Sequence, residues 1–275
     1  MPDFQQKVVV ITGAGSGIGQ ELAWQLSARG AILALNDWKA EALDQTWETL
    51  PPASRGYREV FDVGDRAAVE AFAEKVRNTL GRVDVVINNA GMSLPPKAII
   101  HTVVEDYEKV LRVNLWGVIY GSLAFLPALR ERPGGTLVNI SSVFGLMGYP
   151  GSAPYNVSKF GVRGFTETLR VEMLGTGLNV VCVHPGGIKT NIANNIEFAD
   201  DRERQRFARN FENQAKTTSA QAAATILRGL DKGHSRITIG SDATFIDRVT
   251  RLLPARYETV LTRWLNREKF LAGKA

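Results

Sequence analysis

The chain has 275 residues, 44% of them hydrophobic and 22% charged, which suits a globular protein with a large core and excludes wholesale disorder. Its net charge of +5 is local: residues 1–227 hold 23 basic and 23 acidic side chains, while residues 228–275 hold 10 and 5. A nucleic-acid binder usually carries a basic stripe across its main body, so the balance counts against that class.

Read in chain order, short β-branched runs alternate with longer helical patterns. Strands are predicted at Val8–Ile11, Ala31–Leu35, Gly56–Phe61, Val83–Ile87, Thr136–Ile140, Asn179–His184 and Arg236–Ile239. Helices are predicted at Gly19–Arg29, Lys39–Leu50, Arg66–Leu80, Val104–Leu126, Tyr155–Leu174 and Ala220–Lys232. Strands separated by helices pair in parallel through right-handed crossovers, and their continuous apolar runs require cover on both faces. The expected fold is a doubly wound, Rossmann-type α/β domain over residues 1–250. Residues 251–275 form a basic extension in which Tyr257, Val260, Leu261, Trp264 and Leu265 recur at helical spacing. Such a segment can pack on its own domain or a partner subunit, or lie in a membrane interface.

Several chemistries drop out early. The lone Cys182 makes no internal disulfide, and its setting in Val180-Val181-Cys182-Val183 is that of a small buried strand residue. His101, His184 and His234 are dispersed, so no metal is expected. Val8–Ile11 is too short for a signal segment, and no apolar run approaches the roughly 18 residues of a membrane span, so a cytoplasmic location is expected.

The first strand runs into Thr12-Gly13-Ala14-Gly15-Ser16-Gly17-Ile18-Gly19 and then a helix. Gly13, Gly17 and Gly19 permit a tight turn that a pyrophosphate can approach, and the helix N-terminus offers free N–H groups to that anion. Asp37 ends the second strand. A carboxylate there can accept from both adenosine ribose hydroxyls and repels a 2′-phosphate, which favours NAD over NADP; it can also cap the following helix. Tyr155 and Lys159, four residues apart, share one helix face. A phenol is a poor base near its usual pKa of about 10, and a neighbouring ammonium is expected to lower that value.

Thr12–Gly19, Asn88-Asn89-Ala90-Gly91, Asn139-Ile140-Ser141-Ser142, Tyr155-x-x-x-Lys159 and Pro185-Gly186 occur in this order. Together they resemble the short-chain dehydrogenase/reductase family over about residues 5–240. The resemblance implies a catalytic set of Asn114, Ser142, Tyr155 and Lys159, with Ser141 as the competing serine. Tyr155 exchanges a proton with the reacting oxygen, Ser142 hydrogen-bonds that oxygen, and Asn114 holds a water that links Lys159 to solvent. It further implies cofactor contacts from Gly13, Ser16, Gly17, Ile18, Gly19 and Asp37, from Asp62 and Val63 at the adenine, and from Asn89, Ala90 and Gly91. Tyr155 and Lys159 join them at the nicotinamide ribose, with Pro185, Gly186, Ile188 and Thr190 at the nicotinamide end. The resemblance also implies a substrate lid at about 191–218 and substrate contacts from Leu94, Phe144, Tyr149, Ile192 and Ile196, a largely apolar set that suits a hydrophobic alcohol or ketone. The expected activity is NAD-dependent oxidoreduction of a secondary alcohol or ketone by a homodimer or homotetramer. The alternatives are a 3-oxoacyl-carrier reductase using NADPH and a non-catalytic NAD-responsive binding protein.

Overall fold

The computed structural model describes residues 4–189, 196, 198 and 200–264, apart from the side chains of 208, 210–214 and 261–264. Seven parallel strands form one sheet: β1 (Val8–Thr12), β2 (Ile32–Asp37), β3 (Arg55–Val60), β4 (Val85–Asn88), β5 (Thr136–Ile140), β6 (Asn179–Pro185) and β9 (Arg236–Ile239). Their spatial order is β3-β2-β1-β4-β5-β6-β9. The strand order reverses between β1 and β4, and the crevice beyond the strand C-termini at that reversal is where such sheets take ligands. The two-residue strands β7 (Ile188–Lys189) and β8 (Thr217–Thr218) pair separately. Each is too short to leave a periodic pattern, and neither was expected.

Both faces of the sheet are covered. On one, α1 (Gly17–Ser27) and α8 (Ser219–Asp231) bury Leu22, Leu26, Ile226 and Leu227 against Val9, Ile11, Leu33, Val181 and Val183. On the other, α3 (Arg66–Leu80), α5 (Gly117–Arg130) and α6 (Ala153–Glu172) bury Phe72, Val76, Phe125, Leu129 and Leu169 against Val10, Val86, Leu137 and Val180. Helix α3 shows why its ends fall where they do: Asp65 accepts from the N–H groups of Ala67 and Ala68, and Gly81 closes the helix at φ +70°. Helix α2 (Ala40–Thr49) ends ahead of Pro51-Pro52, as expected of a breaker.

The long helix predicted from Val104 continues to Arg130 and is interrupted. Helix α4 (Val104–Leu111) passes into a π turn at Arg112–Trp116 and then into α5. By length and composition this stretch could cross a membrane, although no unbroken apolar run was expected to reach that length; one face of it, with Val118, Gly121, Ser122, Phe125 and Leu129, turns inward on the sheet. Cys182 is buried in β6.

At the C-terminus, α7 (Asp201–Gln214) lies in the lid region, and α9 (Ser241–Leu252) and α10 (Tyr257–Trp264) follow β9. A division at residue 250 therefore falls inside α9. Ala243 and Ile246 of that helix join Val143, Leu146 and Met147 in a third apolar cluster, on which Val249 and Tyr257 also pack. The start of the basic extension thus packs, through Tyr257, on the loop that follows β5.

Candidate active site

The glycine turn between β1 and α1 has the shape expected of an anion cradle. Gly13 (φ +66°) and Gly17 (φ +58°) occupy the left-handed region that only glycine enters cheaply. A Cβ at Gly19 would drive into the Gly13 carbonyl oxygen. Ser16 precedes the helix in an extended conformation, its side chain makes no capping bond, and the first turn contains no acid. The N-terminal N–H groups of α1 are thus left for an anion. Ile18 is buried in the first core layer and anchors the turn from below.

Asp37 is nearly buried at the end of β2. Its carboxylate accepts from Gly15 N–H (2.9 Å) and Lys39 N–H (3.0 Å), so one group both orders the turn and leads into the next helix. Further lone pairs remain on both oxygens. The Lys39 ammonium lies over the Trp38 ring, 5.1 Å from its centroid.

Other expected cofactor residues turn out to brace the cradle. Asn89 donates through Nδ2 to the carbonyls of Thr12 (3.0 Å) and Gly13 (3.1 Å), while the N–H groups of Asn89 and Ala90 donate to Thr12 Oγ1. Asp62 pairs with Arg112 at 2.8 Å, and Val63 is buried against Gly117. Gly91 lies where a Cβ would come 3.4 Å from Asn114 Oδ1 and 3.6 Å from Lys159 Nζ. Pro185 ends β6, and Gly186 N–H donates to Ile239 O (2.9 Å). The side chain of Ile188 is buried in the core, which leaves its backbone as the group on offer. Thr190 and Ile192 lie outside the described residues.

Ser142, Tyr155 and Lys159 come together at the C-terminal ends of β4 and β5. The Ser142 hydroxyl lies close enough to the Tyr155 phenol to draw its pKa downward, and it accepts from Phe144 N–H (3.1 Å). Ser141, the competing serine, is occupied elsewhere: its hydroxyl donates to the Lys159 carbonyl (2.8 Å). Lys159 Nζ donates to Ile140 O (3.0 Å) and lies 5.5 Å from the Tyr155 ring centroid.

The electrostatics correct one expectation. Lys159 was expected to pull the phenol below its ordinary value. Burial dominates instead and pushes Tyr155 up to about 12, with the neighbouring Ser142 hydroxyl acting the other way. Burial also brings Lys159 down to about 8. Each group is short of water in its charged form, and desolvation outweighs their mutual effect.

Asn114 is fully buried within the π turn. Its Oδ1 accepts from Met92 N–H (2.8 Å), and its Nδ2 donates to Met92 O (2.9 Å) and Ser158 Oγ (3.1 Å). A helix irregularity and a functional placement thus coincide at one residue, as π turns often allow.

Over Tyr155 stands an aromatic wall. Phe144 stacks on Tyr149 (centroids 4.5 Å apart, planes 10° off parallel) and meets Tyr155 edge-on at 6.1 Å. Leu94 is half-buried and Ile196 is buried.

Two contributors were not expected. His184, passed over as a metal ligand, is fully buried with Nδ1 3.1 Å from Ser142 O and Nε2 unpartnered. Asp242 accepts from Gly187 N–H at 2.7 Å. No spacing rule links residue 184 to 142 or 242 to 187; adjacency across the sheet does.

A glycine cradle at the strand-order reversal, with buried Ser142 and Lys159 and half-buried Tyr155 beside it, defines a dinucleotide-dependent dehydrogenase or reductase. The chain belongs to the short-chain dehydrogenase/reductase family: the profile described as short chain dehydrogenase matches residues 7–201. It is 41% identical to SadH of Mycobacterium tuberculosis over 265 residues, covering 95% of this chain and 96% of that one. It is 39% identical to a meso-2,3-butanediol dehydrogenase of Serratia marcescens over 191 residues, 70% of this chain and 75% of that one. Among solved structures, a short-chain dehydrogenase/reductase from Burkholderia phymatum in complex with NAD superposes with a TM-score of 0.82. It is 28% identical and covers 91% of this chain and 95% of the other. The protein is an oxidoreductase of this family, which binds a nicotinamide cofactor.

Proposed function

We propose that the protein interconverts a hydrophobic secondary alcohol and its ketone with NAD, and that Tyr155 is the general acid/base. The observation that carries this reading is the Tyr155 phenol, set beside Ser142 and under the Phe144–Tyr149 wall. A phenol held near 12 is protonated at neutral pH and is poised to give its proton to a carbonyl oxygen. Ser142 steadies the same oxygen as charge develops on it. Lys159, near 8, is largely cationic at neutral pH and favours the phenolate that this transfer leaves. In the alcohol direction the same groups act in reverse. When bound, the nicotinamide supplies the hydride donor or acceptor; the Gly13–Gly19 cradle would hold its pyrophosphate and Asp37 its adenosine ribose. Asp37 supports NAD because a buried carboxylate repels a 2′-phosphate. The aromatic wall supports an apolar substrate, and the 39% identity to a butanediol dehydrogenase supports a secondary alcohol.

A panel of alcohols and ketones with NAD(H) and NADP(H), read by the absorbance of the reduced cofactor, tests this. Tyr155→Phe should lower kcat by about 100-fold to 10 000-fold while cofactor binding persists. Full turnover in that variant would exclude the role. Asp37→Ala should cut the preference for NAD over NADP by about tenfold or more, on the scale of a lost charged contact. A wild-type preference for NADP would overturn the cofactor reading.

We further infer a homo-oligomer located in the cytoplasm. Trp116, Leu123, Val157 and Phe160 of the π turn, α5 and α6 are large apolar side chains on the surface. Leu252 and Leu253, exposed beside Arg248 and Arg251, support peripheral membrane contact as a second use of the C-terminal segment.

A further inference from the structure

Helix α9 touches both sides of the site. At its N-terminus Asp242 Oδ2 accepts from Gly187 N–H at 2.7 Å. Gly186 packs so closely on the same carboxylate that a Cβ there would collide with Oδ1, Oδ2 and Cγ. Gly240, at φ +97°, turns the chain from β9 into the helix, and a Cβ on it would strike Asp242 Oδ1. The carboxylate therefore fills a slot walled by two glycines. Behind it the helix is firmly held. Ala243 and Ile246 are buried against Val143, Leu146 and Met147, and Asp247 pairs with Arg236 of β9 at 2.5 Å.

From this arrangement we propose that Asp242 is a positioning residue for the nicotinamide end of the cofactor. It fixes the Gly186–Gly187 loop against α9. The inference rests on the nicotinamide-dependent reading above and extends it to a residue outside the family profile's match over residues 7–201. A charged acceptor on a backbone N–H makes a stronger hydrogen bond than a neutral one, and the close approach of Gly186 leaves the loop little room to move. The physical consequence is selective. The adenosine half of the site rests on Gly13–Gly19 and Asp37, at the other end of the crevice. Asp242 should matter only to the part of the ligand that reaches Gly186–Gly187.

Calorimetric titration of the full-length protein with NAD⁺ and with ADP-ribose, which lacks the nicotinamide, separates these cases. Asp242→Ala should weaken NAD⁺ binding about tenfold and leave ADP-ribose within about twofold. KM for NAD⁺ should rise more than kcat falls. Asp242→Asn, which keeps an acceptor oxygen, should stay within about threefold of wild type. Asp242→Ser keeps a polar side chain in the first turn of α9 but is one atom shorter, so its oxygen falls short of Gly187 N–H, and it should repeat the NAD⁺-selective loss even if the alanine variant folds poorly. Equal loss of both ligands would mean general damage and would overturn the proposal, as would unchanged NAD⁺ binding in the alanine and serine variants. A wild-type protein that bound neither NAD⁺ nor ADP-ribose would instead remove the nicotinamide reading on which the proposal stands, and the proposal with it.

Discussion

Each titratable group at the reacting end bears a desolvation cost, and His184 shows its consequence for stability. Burial, with Arg236 adding repulsion, brings this imidazole down to about 4, so it is neutral in the native protein. Neutral imidazole with its proton on Nδ1 donates to Ser142 O and leaves Nε2 bare, which accounts for the unpartnered atom. Between pH 6.5 and about 4 the unfolded chain binds a proton that the folded chain refuses. Stability therefore falls as pH drops through this window, by about 1–3 kcal/mol. His184→Asn keeps a donor for Ser142 O and removes the titration. Thermal melts at neutral pH and at about pH 4 should show a flatter acid limb in the variant; an unchanged limb would mean that His184 is already charged. The same scale shows what could be read in advance and what could not. Tyr155 and Lys159 were legible because the chemistry dictates residue type and i,i+4 spacing, and Ser142 because the family resemblance implied it. His184 and Asp242 were not, because their partners lie 42 and 55 residues away.

At the scale of elements, the strand–turn–helix unit Val8–Ser27 shows how tightly sequence can dictate shape. Two glycines adopt positive φ, and a third admits no side chain because the Gly13 carbonyl fills the space. Gly19→Ala should therefore destabilise the protein by about 2 kcal/mol, the scale of overpacking against backbone, and should also impair NAD⁺ binding. Chemical denaturation and a binding titration check both. Loss of neither would mean that the turn relaxes without cost. Elsewhere, elements with a strong period were predicted within a few residues, as at β5, α3 and β9. The π turn at Arg112–Trp116 was invisible, since it keeps an apolar helical pattern and differs only in how its backbone bonds close. Helix α9 was missed as well: its apolar positions Ala243, Ile246 and Val249 are few, and they register as a buried face only against the Val143–Met147 loop.

For the whole molecule, two exposed surfaces make separable demands. Leu123 and Phe160, on α5 and α6, should lie in a subunit interface; Leu252 and Leu253, at the C-terminal end of α9, should meet lipid. Leu123→Arg with Phe160→Arg should reduce the mass seen by light scattering and leave liposome binding unchanged. Leu252→Ser with Leu253→Ser should do the reverse with anionic vesicles. If both pairs altered only the mass, the C-terminal surface would belong to the oligomer. If both left the mass unchanged, Leu123 and Phe160 would not form the interface.

The amino-acid sequence alone determined the doubly wound architecture, the glycine cradle and the Tyr155–Lys159 pair. All three depend on local periodicity, turn stereochemistry and i,i+4 geometry, which are written within a few neighbouring residues. Tertiary structure alone decided that Ser141 turns to the Lys159 carbonyl, that burial is the largest influence on the Tyr155 phenol, and that α9 packs against both the Gly186–Gly187 and the Val143–Met147 loops. Those outcomes depend on which atoms meet across the sheet and how far water is excluded between them, quantities that exist only once distant segments have packed.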